Sequence, residues 1–141
     1  RRSSDLYLTY ILTICLAVCS CSDDGTRQED IALQAAKAYY DQLLHGDYDA
    51  FIAGTLRTDT LPDDYKTQLR LNMQQYIETT EKEHKGINHV ETLRAKCDTL
   101  KLSNDSNIIT AQAFIAICFN DSTREEVVVP MVHKAGIWYL R

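Results

Sequence analysis

The alternation of apolar and polar residues divides this chain into a helical first half and a stranded second half. From Ile31 onward, apolar residues recur at Ile31, Ala32, Ala35, Ala36, Tyr39, Tyr40, Leu43 and Leu44, while Gln34, Lys37 and Asp41 take the opposite face. Thr26-Arg27-Gln28-Glu29 has the spacing of a capping box, and Gly46 is free to adopt the positive φ that ends a helix. These signals predict a helix of about 18–20 residues, about 30 Å long, whose alanines let a neighbour pack close. Asp47 to Ala53 reads as a short second helix, with Asp47 as its cap and Gly54 as its stop. Pro62-Asp63-Asp64 opens a third, with Pro suited to a first turn and acids to the positive end of the dipole. Its expected inner stripe is Tyr65, Leu69, Met73, Tyr76, Ile77 and Thr80, and Gly86 terminates it.

The period then changes to two. Ile87 to Leu102 reads as a long strand whose alternation slips near Thr92-Leu93, which predicts a bulge. Asn107 to Phe119 alternates cleanly, with Ile109, Ala111, Ala113, Ile115, Ile117 and Phe119 inward. Its other face carries Phe114, Ala116 and Cys118. Together with Val128 and Val132 these form a candidate apolar patch, to be covered by another part of the chain or by a second copy in a homodimer. Glu125 to His133 and Ile137 to Leu140 complete the strands, and Pro130, which cannot donate, predicts an edge or a bulge. Three helices followed by four antiparallel strands give an α+β fold, with the long first helix lying on a curved sheet.

Upstream of these elements, Tyr7 to Val18 is mostly apolar but shorter than the roughly 20 residues of a membrane-spanning helix. It matches the core of a secretory signal, and Val18-Cys19-Ser20-Cys21 resembles a lipoprotein cleavage site. Cys21, preceded by the small Ser20, is the expected lipidation residue, with Cys19 as the alternative. Residues 1–20 are thus read as a lipoprotein signal peptide, 21–26 as a tether and 27–141 as one domain. Arg1 to Leu6 resembles the translation of a sequencing adapter, and we expect it to be an artefact with no part in the fold. The acidic tether resembles that of Gram-negative lipoproteins. The expected location is therefore the outer membrane, lipid-anchored through palmitate or a similar chain and facing the periplasm or the surface.

Charge narrows the partners. The net charge is −5, from 15 Lys plus Arg against 20 Asp plus Glu. This disfavours nucleic acid, which calls for a basic patch. Cys97 and Cys118 are permitted a disulfide by an exported compartment. A hairpin turn centred near Asp105, however, would set Cys97 opposite about Ala113, too far from Cys118 to bond. Two free thiols are expected.

The order αααββββ, the run Tyr39-Tyr40-Asp41 with His45-Gly46-Asp47-Tyr48, and the closing Val127-Val128-Val129-Pro130-Met131-Val132 with Gly136-Ile137-Trp138-Tyr139 resemble small exported lipoproteins with the nuclear-transport-factor-2-like, or cystatin-like, fold. The resemblance covers about Asp30 to Arg141. It implies a cone with an internal pocket, in a family that includes isomerases, dehydratases, carriers and dimerisation modules, so fold alone does not fix function. An isomerase of this kind needs a carboxylate inside the cone beside a Tyr. The inward set of Asn107–Phe119 contains none, Glu125 and Glu126 fall near an open end, and Glu91 faces inward only if the bulge places it so. Tyr39, Tyr40 and Tyr139 are the candidate pocket hydroxyls. The four histidines, His45, His84, His89 and His133, show no ligand spacing, so neither a metal nor a cofactor is expected. The sequence points to a non-catalytic binding or interaction module, with a small apolar ligand as one option and an isomerase-type or dehydratase-type enzyme as another.

Overall fold

A computed structural model of the chain describes residues 23–141. The expected signal peptide with its adapter-like start and Cys19, and the expected lipidation residue Cys21, lie outside the described residues. Helix α1 spans Asp23–Leu44, α2 spans Tyr48–Ala53, a single 3-10 turn covers Thr58–Thr60, and α3 spans Asp63–Glu83. Four strands follow: β1 Ile87–Lys101, β2 Asn107–Phe119, β3 Arg124–Lys134 and β4 Ile137–Leu140. They form one antiparallel sheet in the order β1-β2-β3-β4. The architecture is the expected α+β fold, a cone in which the sheet wraps the long first helix.

Helix α1 starts three residues before Thr26, so the capping-box residues lie within its first turns. Its buried face is also rotated from the expected one. Ala32, Leu33, Ala36 and Leu43 are buried, whereas Ile31 is 45% exposed. The apolar arc of this helix is wide, and contact with the sheet selects its phase. Ala32 and Ala36 are fully buried and bring the helix close to Ala111, Ala113, Ile115, Val129 and Met131 on the inner sheet face. Trp138 and Leu140 of β4 join the same core. Ile115, Ile117 and Met131 are completely enclosed, so the space between α1 and the sheet is occupied by close-packed side chains.

The bulge predicted near Thr92-Leu93 is present, and a second irregularity falls between Ile87 and His89. Cys97 pairs with Ala111 rather than Ala113, because the β1–β2 hairpin is centred on Asn104. Both thiols are free. Pro130 pairs with Gln112 on one side and lies just outside the β4 pairing on the other, where its carbonyl accepts from Arg141 N at 3.0 Å. Its missing donor therefore falls where no ladder needs it. The free side of β4 is covered by the chain after α2: Leu140 N donates to Gly54 O, and Leu56 N to Leu140 O, each at 2.8 Å.

Helix α3 departs from expectation. Only Ile77 and Thr80 of its predicted inner stripe are buried; Tyr65 and Tyr76 are 51% and 44% exposed, and so is Leu71 on another face. Its C-terminal end is stitched to the β2–β3 turn. Asn120 Nδ2 donates to Lys85 O at 3.1 Å, Asn120 N to Gly86 O at 3.0 Å and Asp121 N to His84 O at 3.2 Å. Its N-terminal half is tied to α2 by Arg70, whose guanidinium donates to Asp49. No helix of the described residues is long and apolar enough to cross a membrane.

Candidate functional site

The alternation of β3 turns Val127, Val129 and Met131 toward α1, and the same parity brings Glu125, paired with Ile117, to the rim of the cone. One turn of periodicity on α1 carries Tyr40 to that rim, where its ring meets Phe51 edge-on at 5.5 Å between centroids. Helix α3 contributes Tyr76. The carboxylate acts electrostatically on both phenols. Burial, then Tyr76 and Glu125, raise the Tyr40 phenol above its ordinary value. Burial and Glu125 likewise raise Tyr76, opposed by a hydrogen bond with Thr80. Both phenols are therefore neutral donors at physiological pH. Beside them, Asn72, Gln75, Tyr76, Thr79, Thr80 and Glu83 line an open hollow of about 380 Å³. Glu125 itself is exposed at this mouth, unlike the buried carboxyl that an isomerase of this fold uses.

The three tyrosines expected to share a pocket are divided. Tyr40 belongs to the mouth. Burial, then the charge of nearby Tyr139, raise the Tyr39 phenol. The Tyr39 hydroxyl donates to Trp138 O at 2.8 Å, a structural tie between α1 and β4. Its ring rests against Gly54, where a Cβ would run into it. Nearby, the buried indole N–H of Trp138 has no partner among the described residues, and the His133 ring tilts toward that indole at 5.0 Å.

Two polar clusters were not foreseen. At the end of α3, His84 stacks on Phe119 at 4.1 Å, and its Nδ1 lies 2.9 Å from Asp121 Oδ2. Hydrogen bonds from the Thr123 hydroxyl and backbone, then the contact with His84, lower Asp121 to about 2. On the outer sheet face, His89 Nε2 contacts Glu91 Oε1 at 3.0 Å, with Cys118 adjacent. Glu91 thus faces outward, opposite Ala116, and supplies no carboxylate to the interior. The hydrogen bond from His89 lowers Glu91, while burial and the Glu91 charge raise Cys118. The thiol is accordingly a protonated, weak nucleophile. The sequence signal for this cluster was present, since residues two apart on a strand share a face, but the pairing of His89 with Cys118 depends on the irregularity at Asn88.

The outer face also revises the apolar patch. Ala116 and Val132 are buried, Phe114 is half-buried beneath the Arg94 guanidinium at 4.0 Å, and Val128 is 49% exposed. Arg94 is held there by Glu126 at 3.2 Å. Arg94 thus covers Phe114, while Val128 stays open to solvent.

No family model matches the chain, and no curated protein matches it. Its structure is similar to the crystal structure of a Campylobacter jejuni protein provisionally named an NTF2-like (nuclear-transport-factor-2-like) transpeptidase. The TM-score is 0.51 at 15% identity, over 76% of this chain and 94% of that one. The likeness establishes the fold. The chain has the NTF2-like, cystatin-like cone anticipated from its helix and strand order.

Proposed function

We propose that the protein is a lipid-anchored, exported, non-catalytic binding module whose ligand site is the mouth formed by Tyr40, Tyr76 and Glu125. The observation that carries this reading is the exposed Tyr76 on a half-covered helix, lining an open hollow and close enough to Tyr40 and the Glu125 carboxylate for their charges to act on one another's phenols. The ligand that suits it is small and apolar with one donor or cationic head: the rings take the apolar part and the carboxylate takes the head. The apolar run Tyr7–Val18 and Cys21 support the anchor and an outer-membrane location.

Binding is tested by calorimetric titration of the full chain with a medium-chain alkylammonium and with the carboxylate of equal length. The ammonium is expected to bind, and Glu125→Gln to weaken it about three- to tenfold, as befits an exposed charged contact. Equal binding of both ligands, or an unchanged affinity in Glu125→Gln, would overturn the site. The anchor is tested separately. Cys21→Ala should move the protein from the membrane to the soluble fraction and end fatty-acid labelling.

The second reading, an enzyme of isomerase or dehydratase type, draws on the same two neutral phenols beside a carboxylate. It requires turnover of a ketosteroid-like or hydroxyacyl substrate that Glu125→Gln abolishes.

A further inference from the structure

The register of β1 against β2 assembles a cluster of ligating groups on the face of the sheet away from α1. His89 stands opposite Cys118, and Glu91 opposite Ala116, on the same solvent-facing side. The His89 ring is held from both ends, with Nδ1 at 3.0 Å from Asn88 Oδ1 and Nε2 at 3.0 Å from Glu91 Oε1. The ligating atoms of His89, Glu91 and Cys118 all lie within 4.8 Å of one another.

A neutral imidazole carries one N–H. If that hydrogen goes to Asn88, the Nε2 lone pair faces a carboxylate oxygen. If it goes to Glu91, the Nδ1 lone pair faces the amide oxygen. With the Asn88 amide in this orientation, both contacts are favourable only when a further positive centre joins the cluster. That centre is either a second proton on the ring or a cation between Nε2 and the carboxylate. The amide turned over would instead donate to Nδ1 and remove the need, and a metal titration separates the two cases.

We propose that His89, Glu91 and Cys118 form a three-ligand site for a borderline divalent metal ion, Zn(II) in the first instance, with the fourth position open to water. One nitrogen, one carboxylate oxygen and one thiolate match zinc rather than magnesium or calcium, which take oxygen. The His89–Glu91 distance is close to that required. With zinc bonds of about 2.0–2.2 Å to nitrogen and oxygen, a separation of 3.0 Å corresponds to an angle of about 90°, and a widening of about 0.4 Å makes it tetrahedral. Asn88 would hold the outer ring nitrogen, as second-layer partners of metal-bound histidines do. On binding, the Cys118 sulfur exchanges its proton for the metal, and the proton goes to solvent. The thiolate and carboxylate then neutralise the ion. Arg124, paired opposite Cys118 in β3, therefore meets a neutral cluster. This site lies on the opposite side of the sheet from the mouth and is independent of the binding reading above.

The test uses the full chain in detergent with Cys15, Cys19 and Cys21 replaced by Ser, so that Cys97 and Cys118 are the remaining thiols. Titration with Co(II) should produce a sulfur-to-cobalt charge-transfer band that saturates at one equivalent and disappears on adding Zn(II). Cys118→Ser should abolish the band and Cys97→Ser should keep it. His89→Gln and Glu91→Gln, both at exposed positions, should each weaken Co(II) binding by about tenfold or more. Absence of the band, its survival in Cys118→Ser, or its loss in Cys97→Ser would each overturn the site. Circular dichroism of every variant confirms that the fold is intact.

Discussion

Gly54 is where the ring of Tyr39 meets the chain after α2, and its backbone is in the ordinary right-handed region. Its lack of a side chain therefore serves packing rather than backbone freedom. Gly54→Ala should drive the ring off Gly54 and strain its hydroxyl contact with Trp138 O, lowering stability by about 1–3 kcal/mol in denaturant melts. Asp121 gives a second prediction at this scale. Its carboxyl is lowered from 3.8 to about 2 by Thr123 and His84. Above about pH 5 the group is ionised in both folded and unfolded chains, and the native contacts contribute in full. As the pH falls toward 2 the unfolded chain binds a proton that the folded one resists, so the contribution is lost. The stability gap between wild type and Asp121→Asn should accordingly be constant from pH 7 to about 5 and shrink between about pH 4 and 2, as read by urea melts.

The elements differ in how far the sequence specified them. β2 was legible because its small and branched residues alternate over its whole length and its inner face is buried from Ala111 to Phe119. The boundaries of α2 and α3 followed from Asp47 and Pro62, whose chemistry is local: Asp47 accepts from Ala50 N at 3.1 Å. What could not be read was which side of a helix another element would cover. The stripe on α3 has helical spacing, yet no residue of its first half is fully buried. On α1, Ile31 and Leu33 exchange roles because the sheet fixes the phase. The Tyr40–Tyr76–Glu125 mouth joins three elements distant in sequence, so no motif spacing announces it. The uneven burial of α3 has a measurable consequence. Amides in its first half should exchange with deuterium much faster than those of α1 from Ala32 to Leu43, and those near Ile77 and Thr80 should fall between. Replacing Arg70 by Ala should change global stability by under about 1 kcal/mol, since its partner Asp49 is largely exposed.

At the scale of the molecule, the core that holds the fold and the proposed binding surface lie in different places. Ile115, Ile117 and Met131 are wholly enclosed, Ile115 and Met131 in the core that α1 shares with the sheet, and that packing stabilises the domain. On the proposed reading, binding takes place at the rim, where α3 stands half uncovered near Glu125. The separation predicts a crossed pattern of effects. Met131→Ala should cost about 2–5 kcal/mol of stability, through lost burial and the cavity it leaves, and should leave alkylammonium affinity in the folded protein unchanged. Tyr76→Ala should alter stability by under about 0.5 kcal/mol, because the side chain is exposed, and should weaken binding several-fold. Denaturant melts and calorimetry on the same two variants decide the matter. If Met131→Ala weakens binding as much as Tyr76→Ala does, the ligand reaches the interior, and the rim is its route rather than its seat.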